Sequence, residues 1–299
     1  MASFLDFFPM VMAQQCGRQQ LERRPEPSQV TAAADNVVQY DQVMSTKLVL
    51  AYAAGLQTVH RALAGTGGMA VDLACGPGHY TLCLARYLKF EKVLGIDLSP
   101  GMFAIASQNA TQQGLDRAVS FQRGDVTNLA DLASGSFSLS SFTDAAHHMP
   151  DIETVGQVLR EMDRVTRPDG LVMVMDLARL RTAKLTERYV NTLGHDYVAR
   201  GLPAFLDDFR NSMYAAFTVA EMRQAIPRKT RRFWCHVVPR GLPTTQIILG
   251  LPEGRSKPMV RGGVPWDDAS HPIPDSMRSE WSILSSSLAF GAKAILAPG

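Results

Sequence analysis

The stretch Val71-Asp72-Leu73-Ala74-Cys75-Gly76-Pro77-Gly78-His79 decides how the rest of the chain reads. A short apolar run ends in an acid, turns through Gly-Pro-Gly and enters an amphipathic segment. That is a strand, a tight turn and a helix. Glycine lets such a turn pass close to a ligand. The dinucleotide pattern GxGxxG is absent, because Thr81 stands where its third glycine belongs. Asp72 precedes the loop, where its charge repels a pyrophosphate and suits an ammonium group.

Working outward, the alternation repeats. Strands are expected at residues 69–74, 92–97, 119–122, 136–142 and 171–176, and helices at 79–88, 100–112 and 152–166. Ser99 is placed to cap the helix that opens with Pro100. Arg167-Pro168-Asp169-Gly170 reads as the turn before the fifth strand. Five strands alternating with helices predict a Rossmann-like, doubly wound α/β sheet. Two closing strands at 231–239 and 244–251, one of them antiparallel, bring it to seven. Helices are expected on both faces.

Upstream, residues 13–36 read as a flexible polar lead-in, and 37–63 carry apolar residues at helical spacing. Residues 182–226 read as helical pieces around Gly201-Leu202-Pro203. Residues 252–299, rich in Pro, Gly and Ser, read as a tail. Its Trp266 and Trp281 predict docking on the body or on a second subunit. The expected division is an N-terminal extension or lid (1–36), a main domain (37–251) with a lid insertion around 181–226, and a C-terminal extension (252–299).

Of the 299 residues, 46% are hydrophobic and 19% charged, as in an ordinary globular protein. A formal net charge of +2 lacks the basic excess of a nucleic-acid binder. The four cysteines form no CxxC pair, so neither a zinc pattern nor a disulfide framework is expected. No metal site is expected. No apolar run approaches the roughly 20 residues of a membrane span, and Asp6 and Pro9 argue against a secretory signal. A cytoplasmic location is expected.

Two further acids stand at strand ends. Asp97 follows Gly76 by 21 residues (97 − 76), where a carboxylate can accept both hydroxyls of a ribose. Asp125 follows the third strand and can accept from an adenine amine. Taken singly, Asp72 also reads as a helix cap and Asp97 as a loop acid.

The series DLACGPGHYT, GIDLSPGM, GDV, FTDAAHHMPD and LREMDRVTRPDGLVMVMD resembles the class I S-adenosylmethionine-dependent methyltransferases. The nearest group is the broad small-molecule one that includes the ubiquinone and menaquinone methyltransferases. The resemblance covers residues 37–180 strongly, 181–251 weakly and 252–299 not at all. It implies S-adenosylmethionine as cofactor. Asp72, Ala74, Cys75, Gly76 and Gly78 would hold its methionine part. Asp97, Leu98 and Met102 would take the ribose and adenine, Gly124, Asp125 and Val126 the adenine edge. Thr143 would line the cleft and Tyr40 would close over it.

Methyl transfer from a sulfonium asks mainly for alignment, and for a base only when the acceptor arrives protonated. His147 and His148 are the candidates, either as base or as loop holders, with a slight preference for His147. Asp144 is an alternative base or an orienter. Asp176, Arg210 and Tyr214 are the candidate acceptor contacts. Residues 207–214 read as a lid face or, preferably, as a plain amphipathic helix. The expected acceptor is a small molecule, a thiol or sulfide ahead of nitrogen or oxygen. C-methylation of a quinone precursor and cofactor binding without catalysis are the alternatives. A homodimer through the terminal extensions is a further expectation.

Overall fold

The computed structural model describes residues 4–26, 41, 48–63, 67–199, 203–239, 244–255, 273, 278, 281–282, 285 and 292–294. The chain opens with α1 (Phe4–Cys16) and α2 (Val49–Ala62). The alternation follows: β1 (Met69–Leu73), α3 (His79–Tyr87), β2 (Lys92–Asp97), α4 (Pro100–Gln112) and β3 (Val119–Arg123). Next come β4 (Phe137–Thr143), a 3-10 turn (Ala146–His148), α5 (Ile152–Val165) and β5 (Thr166–Leu177). Three helices, α6 (Ala183–Ala199), α7 (Pro203–Ala215) and α8 (Val219–Ala225), precede β6 (Trp234–Val237), β7 (Thr245–Gly250) and β8 (Ala292–Ala294).

The helix starts are chemical. Ser99 accepts from the Met102 N–H just before Pro100. Asp151 caps α5 through the Thr154 N–H at 2.8 Å. Thr218 and Glu221 form a reciprocal capping box at α8.

The sheet order is β3-β2-β1-β4-β5-β7-β6-β8. Strands β1 to β5 run parallel, while β7 is antiparallel to both β5 and β6. This is the expected seven-stranded sheet with one reversed strand. Ala292–Ala294 adds a short eighth, antiparallel to β6. Side chains alternate across the sheet. Leu171, Met173 and Met175 pack with Leu56, Val59 and Leu84 on one face. Val172 and Val174 pack with Val158, Leu159 and Met162 on the other.

Two sequence expectations need correction. The presumed turn at 167–170 belongs to β5, as an irregularity in its pairing with β4. Buried Arg232 makes this possible by donating to the carbonyls of Thr166, Arg167 and Gly170 while pairing with Asp163. The lead-in is also more ordered than expected, since helix α1 runs through Pro9 to Cys16. Met10 is buried with Leu185, Tyr189, Val190 and Met213, which makes α1, α6 and α7 a third layer. Residues 17–26 then cross that layer, with Gln20 and Leu21 donating to the Arg181 carbonyl.

Candidate active site

The carboxyl ends of β1 to β5 form one edge, where ligands of open α/β sheets bind. At β1 the loop is tightly specified. Ala74, Gly76 and Gly78 all have positive φ (50°, 53° and 80°). A Cβ on Gly78 would meet the Phe121 ring at 2.8 Å, whereas one on Gly76 would enter open space. The loop therefore presents bare backbone outward and packs tightly inward.

Asp72 stands behind this loop, fully buried. Its two oxygens accept from Thr81 and Ser141 hydroxyls, each at 2.7 Å. Burial raises its pKa to about 6 against those hydrogen bonds. Asp97 spans the gap to β2. One oxygen accepts from Gly76 N–H at 2.8 Å and the other from Ser99 N–H at 2.9 Å. Leu98 beside it is 62% exposed, an apolar surface at the rim, and Met102 is buried beneath. Gly124 N–H donates to the Asp97 carbonyl. One oxygen of Asp125 accepts from Thr127 twice, and Val126 is buried. Thr143 ends β4, half-buried. Burial pushes the Cys75 thiol well up, which leaves it neutral. Tyr40 lies outside the described residues. Its neighbour Asp41 accepts from His79 and Asn109, both at 2.8 Å, and Asn109 also holds the Pro77 carbonyl.

The loop after β4 carries the histidines. Asp144 sits at φ 50°, a left-handed conformation costly for a non-glycine residue. Its Oδ2 is buried without a partner. Burial and the nearby Asp176 raise its pKa to about 7. His147 is buried, with Nδ1 2.6 Å from Asp176 Oδ1. Its backbone N–H donates to Asp176 Oδ2 at 2.7 Å. Burial disfavours the imidazolium, but the Asp176 carboxylate outweighs it and raises the pKa to about 9. His148 is exposed, stacks on His147 at 4.2 Å between centroids, and pairs with Glu26. Of the two histidines, therefore, His147 is held by a buried carboxylate. Asp176, expected to touch an acceptor directly, is buried and committed to His147 and the Leu177 N–H.

Residues 71–174 match the family model described as a methyltransferase domain. Over residues 71–174, then, the chain is similar to a methyltransferase domain. A demethylmenaquinone methyltransferase of Lactobacillus johnsonii is 30% identical over 38% of this chain and 45% of its own length. A ubiquinone biosynthesis O-methyltransferase of Methylococcus capsulatus is 31% identical over 50% of this chain and 58% of its own. The chain spans about half the length of the curated relatives it matches. A solved structure described as an S-adenosyl-L-methionine-dependent methyltransferase of Methanococcus maripaludis aligns with TM-score 0.56 at 16% identity. It covers 79% of this chain and 99% of that one, which shows the shared fold.

Beside the region that matches the family model, the helical layer supplies a cavity of about 260 Å³ lined by Arg24, Pro25, Glu187, Arg210, Asn211 and Tyr214. Arg210 pairs with Glu187 and Asp207. The Tyr214 hydroxyl donates to Glu187 at 3.0 Å, and the Arg24 guanidinium lies over its ring at 4.8 Å. The expected acceptor contacts Arg210 and Tyr214 thus share one cavity, and residues 207–214 form part of helix α7 as expected.

Sequence reasoning missed Arg23 and Glu26. Arg23 donates to the carbonyls of His147, Met149, Pro150 and Ala215 and covers the Phe217 ring. Glu26 accepts from Ser212 and pairs with His148. The pairing with His148 holds the Glu26 pKa down at about 2 despite burial. Their only local signal was the charge run ERRPEP. No helix among the described residues is long and apolar enough to cross a membrane.

Proposed function

We propose that this protein methylates a small, acidic acceptor of the phenol or quinol class, using S-adenosylmethionine. The observation that carries the reading is the buried His147–Asp176 pair beside a loop built to receive a cationic ligand. The donor fits the residues present. Gly76 leaves open space, Leu98 offers an apolar surface, and Asp72, Asp97, Asp125, Asp144 and Asp176 make the edge acidic. Bare backbone at 74–78 and the Asp72 carboxylate behind it would take the methionine part. Asp97 would take the ribose, with Leu98, Met102, Gly124, Asp125 and Val126 around the adenine and Thr143 in the cleft. Tyr40 keeps its sequence-based role as a cover.

When bound, S-adenosylmethionine supplies a methyl group on a sulfonium, already activated for displacement. The chain's task is then to align the acceptor, exclude water and manage one proton. Asp176 fixes the ring orientation of His147 through Nδ1 and leaves Nε2 for the acceptor. A pKa of about 9 keeps the ring largely protonated at neutral pH, so the acceptor's proton goes only to its minor neutral form. The protonated ring also pairs with an acceptor oxygen that has already ionised. Arg24 on the cavity wall suits an acceptor with anionic character, while Arg210 is already paired with Glu187 and Asp207. The quinone-related names of the relatives support reading a quinol ahead of the thiol or sulfide that residue chemistry alone favoured.

The test is S-adenosylhomocysteine release with a demethylated quinol, simple phenols, thiols and amines. Release with the quinol or phenols, lost in His147→Gln while cofactor still binds, is the expected result. Release with thiols alone overturns the acceptor class. Silence across the panel with cofactor bound turns the protein into a cofactor-binding one.

A further inference from the structure

Glu26 and His148, which the proposed methyl transfer does not use, lie beside His147, whose Nε2 it does use, so a metal ion there would compete with the proton. Glu26, His147 and His148 each offer one ligand atom, and the three atoms lie within 4.8 Å of one another. We propose that these three residues bind a divalent transition-metal ion of the zinc, cobalt or nickel kind. Two imidazoles and one carboxylate suit such ions better than magnesium or calcium, which prefer all-oxygen shells.

The supporting contacts are those a metal site needs. Metal-bound histidines usually give their second ring nitrogen to a carboxylate, which fixes the ring. His147 does so, with Nδ1 2.6 Å from Asp176, leaving Nε2 as the donor. Glu26 is steadied on its other oxygen by the Ser212 hydroxyl at 2.6 Å. The backbone carrying the histidines is clamped by Arg23 at the carbonyls of His147 and Met149. Glu26 Oε2 and His148 Nδ1 already face each other in contact. Bonds of about 2.0–2.2 Å place donors about 3.4 Å apart, so Glu26 Oε2 and His148 Nδ1 must open from 2.5 Å while any wider pair closes. Three protein ligands, one of them the exposed His148, leave a further position open to solvent.

This inference does not rest on the methyl-transfer reading. The full chain, freed of metal by chelation, is titrated with cobalt(II) without cofactor or acceptor, by calorimetry and visible absorption. One cobalt ion per chain is expected, with a visible band of a nitrogen- and oxygen-ligated ion. Glu26→Gln and His148→Asn are each expected to weaken binding at least tenfold with unchanged circular dichroism. Cys16→Ser, at the exposed cysteine, leaves it unchanged. No stoichiometric binding, equal binding in the wild type and both ligand variants, or loss of binding in Cys16→Ser overturns the proposal. Cobalt binding is read independently of turnover, so a silent acceptor panel leaves it standing.

Discussion

Two loops at the same sheet edge are held in contrasting ways. The loop after β1 is fixed mostly by near neighbours. Thr81 lies 9 residues from Asp72, Asp97 lies 21 from Gly76 and Asn109 lies 32 from Pro77. The loop after β4 takes its fixtures from far away, since Arg23 reaches the carbonyls of His147 and Met149 across 124 and 126 residues. The first loop is thus mostly a local device of β1 to β3, with one longer contact from Ser141 of β4. The second adds to its nearer fixture, Asp176, the N-terminal segment that closes over it. The division implies that donor binding and acceptor chemistry separate under mutation.

The largest effect is expected at Gly78→Val. Positive φ costs a β-branched residue about 1–2 kcal/mol, and the clash with Phe121 adds overpacking of about 1–3 kcal/mol. Calorimetry with S-adenosylhomocysteine should show affinity reduced by about a hundredfold or more. An affinity within threefold of wild type would remove the loop from the site. Asp97→Ala comes next. It deletes the carboxylate acceptor for Gly76 and Ser99, charge-assisted bonds worth about 1.5–3 kcal/mol each, so affinity should fall by tens to hundreds.

Arg23→Ala tests the other loop. It frees four carbonyls and should lower kcat about tenfold, in line with misplacement of a reacting group, while leaving cofactor affinity unchanged. A matching loss of cofactor affinity would erase the distinction between the loops. The smallest effect is in pH. The ionised Asp72 favours a bound cation, and its pKa is raised to about 6. Cofactor affinity should hold above pH 6 and weaken by up to about tenfold per unit below it. Asp72→Asn should flatten that slope.

The same contrast explains what was legible in the sequence. Strand, glycine turn and helix recur within 30 residues, so Pro100–Gln112 was readable to its ends, cap included. Asp72, Asp97 and Asp125 stand out in the sequence because each lies at a strand end. The role of the 167–170 segment was misread because Arg232, more than 60 residues away, satisfies its carbonyls and keeps it in β5. Arg23 and Glu26 were missed for the same reason, since nothing in ERRPEP names its partners. The pairing of His147 with Asp176 depends on β4 and β5 lying side by side, a consequence of topology rather than spacing.

The most direct test of separable loops is His147→Gln, with cofactor affinity and methyl transfer measured on the same preparation. The account predicts a cofactor Kd within about threefold of wild type and methyl transfer to the best acceptor reduced by about a hundredfold or more, the usual scale for a lost acid–base group. Unchanged transfer, or cofactor affinity falling in parallel with it, would contradict it.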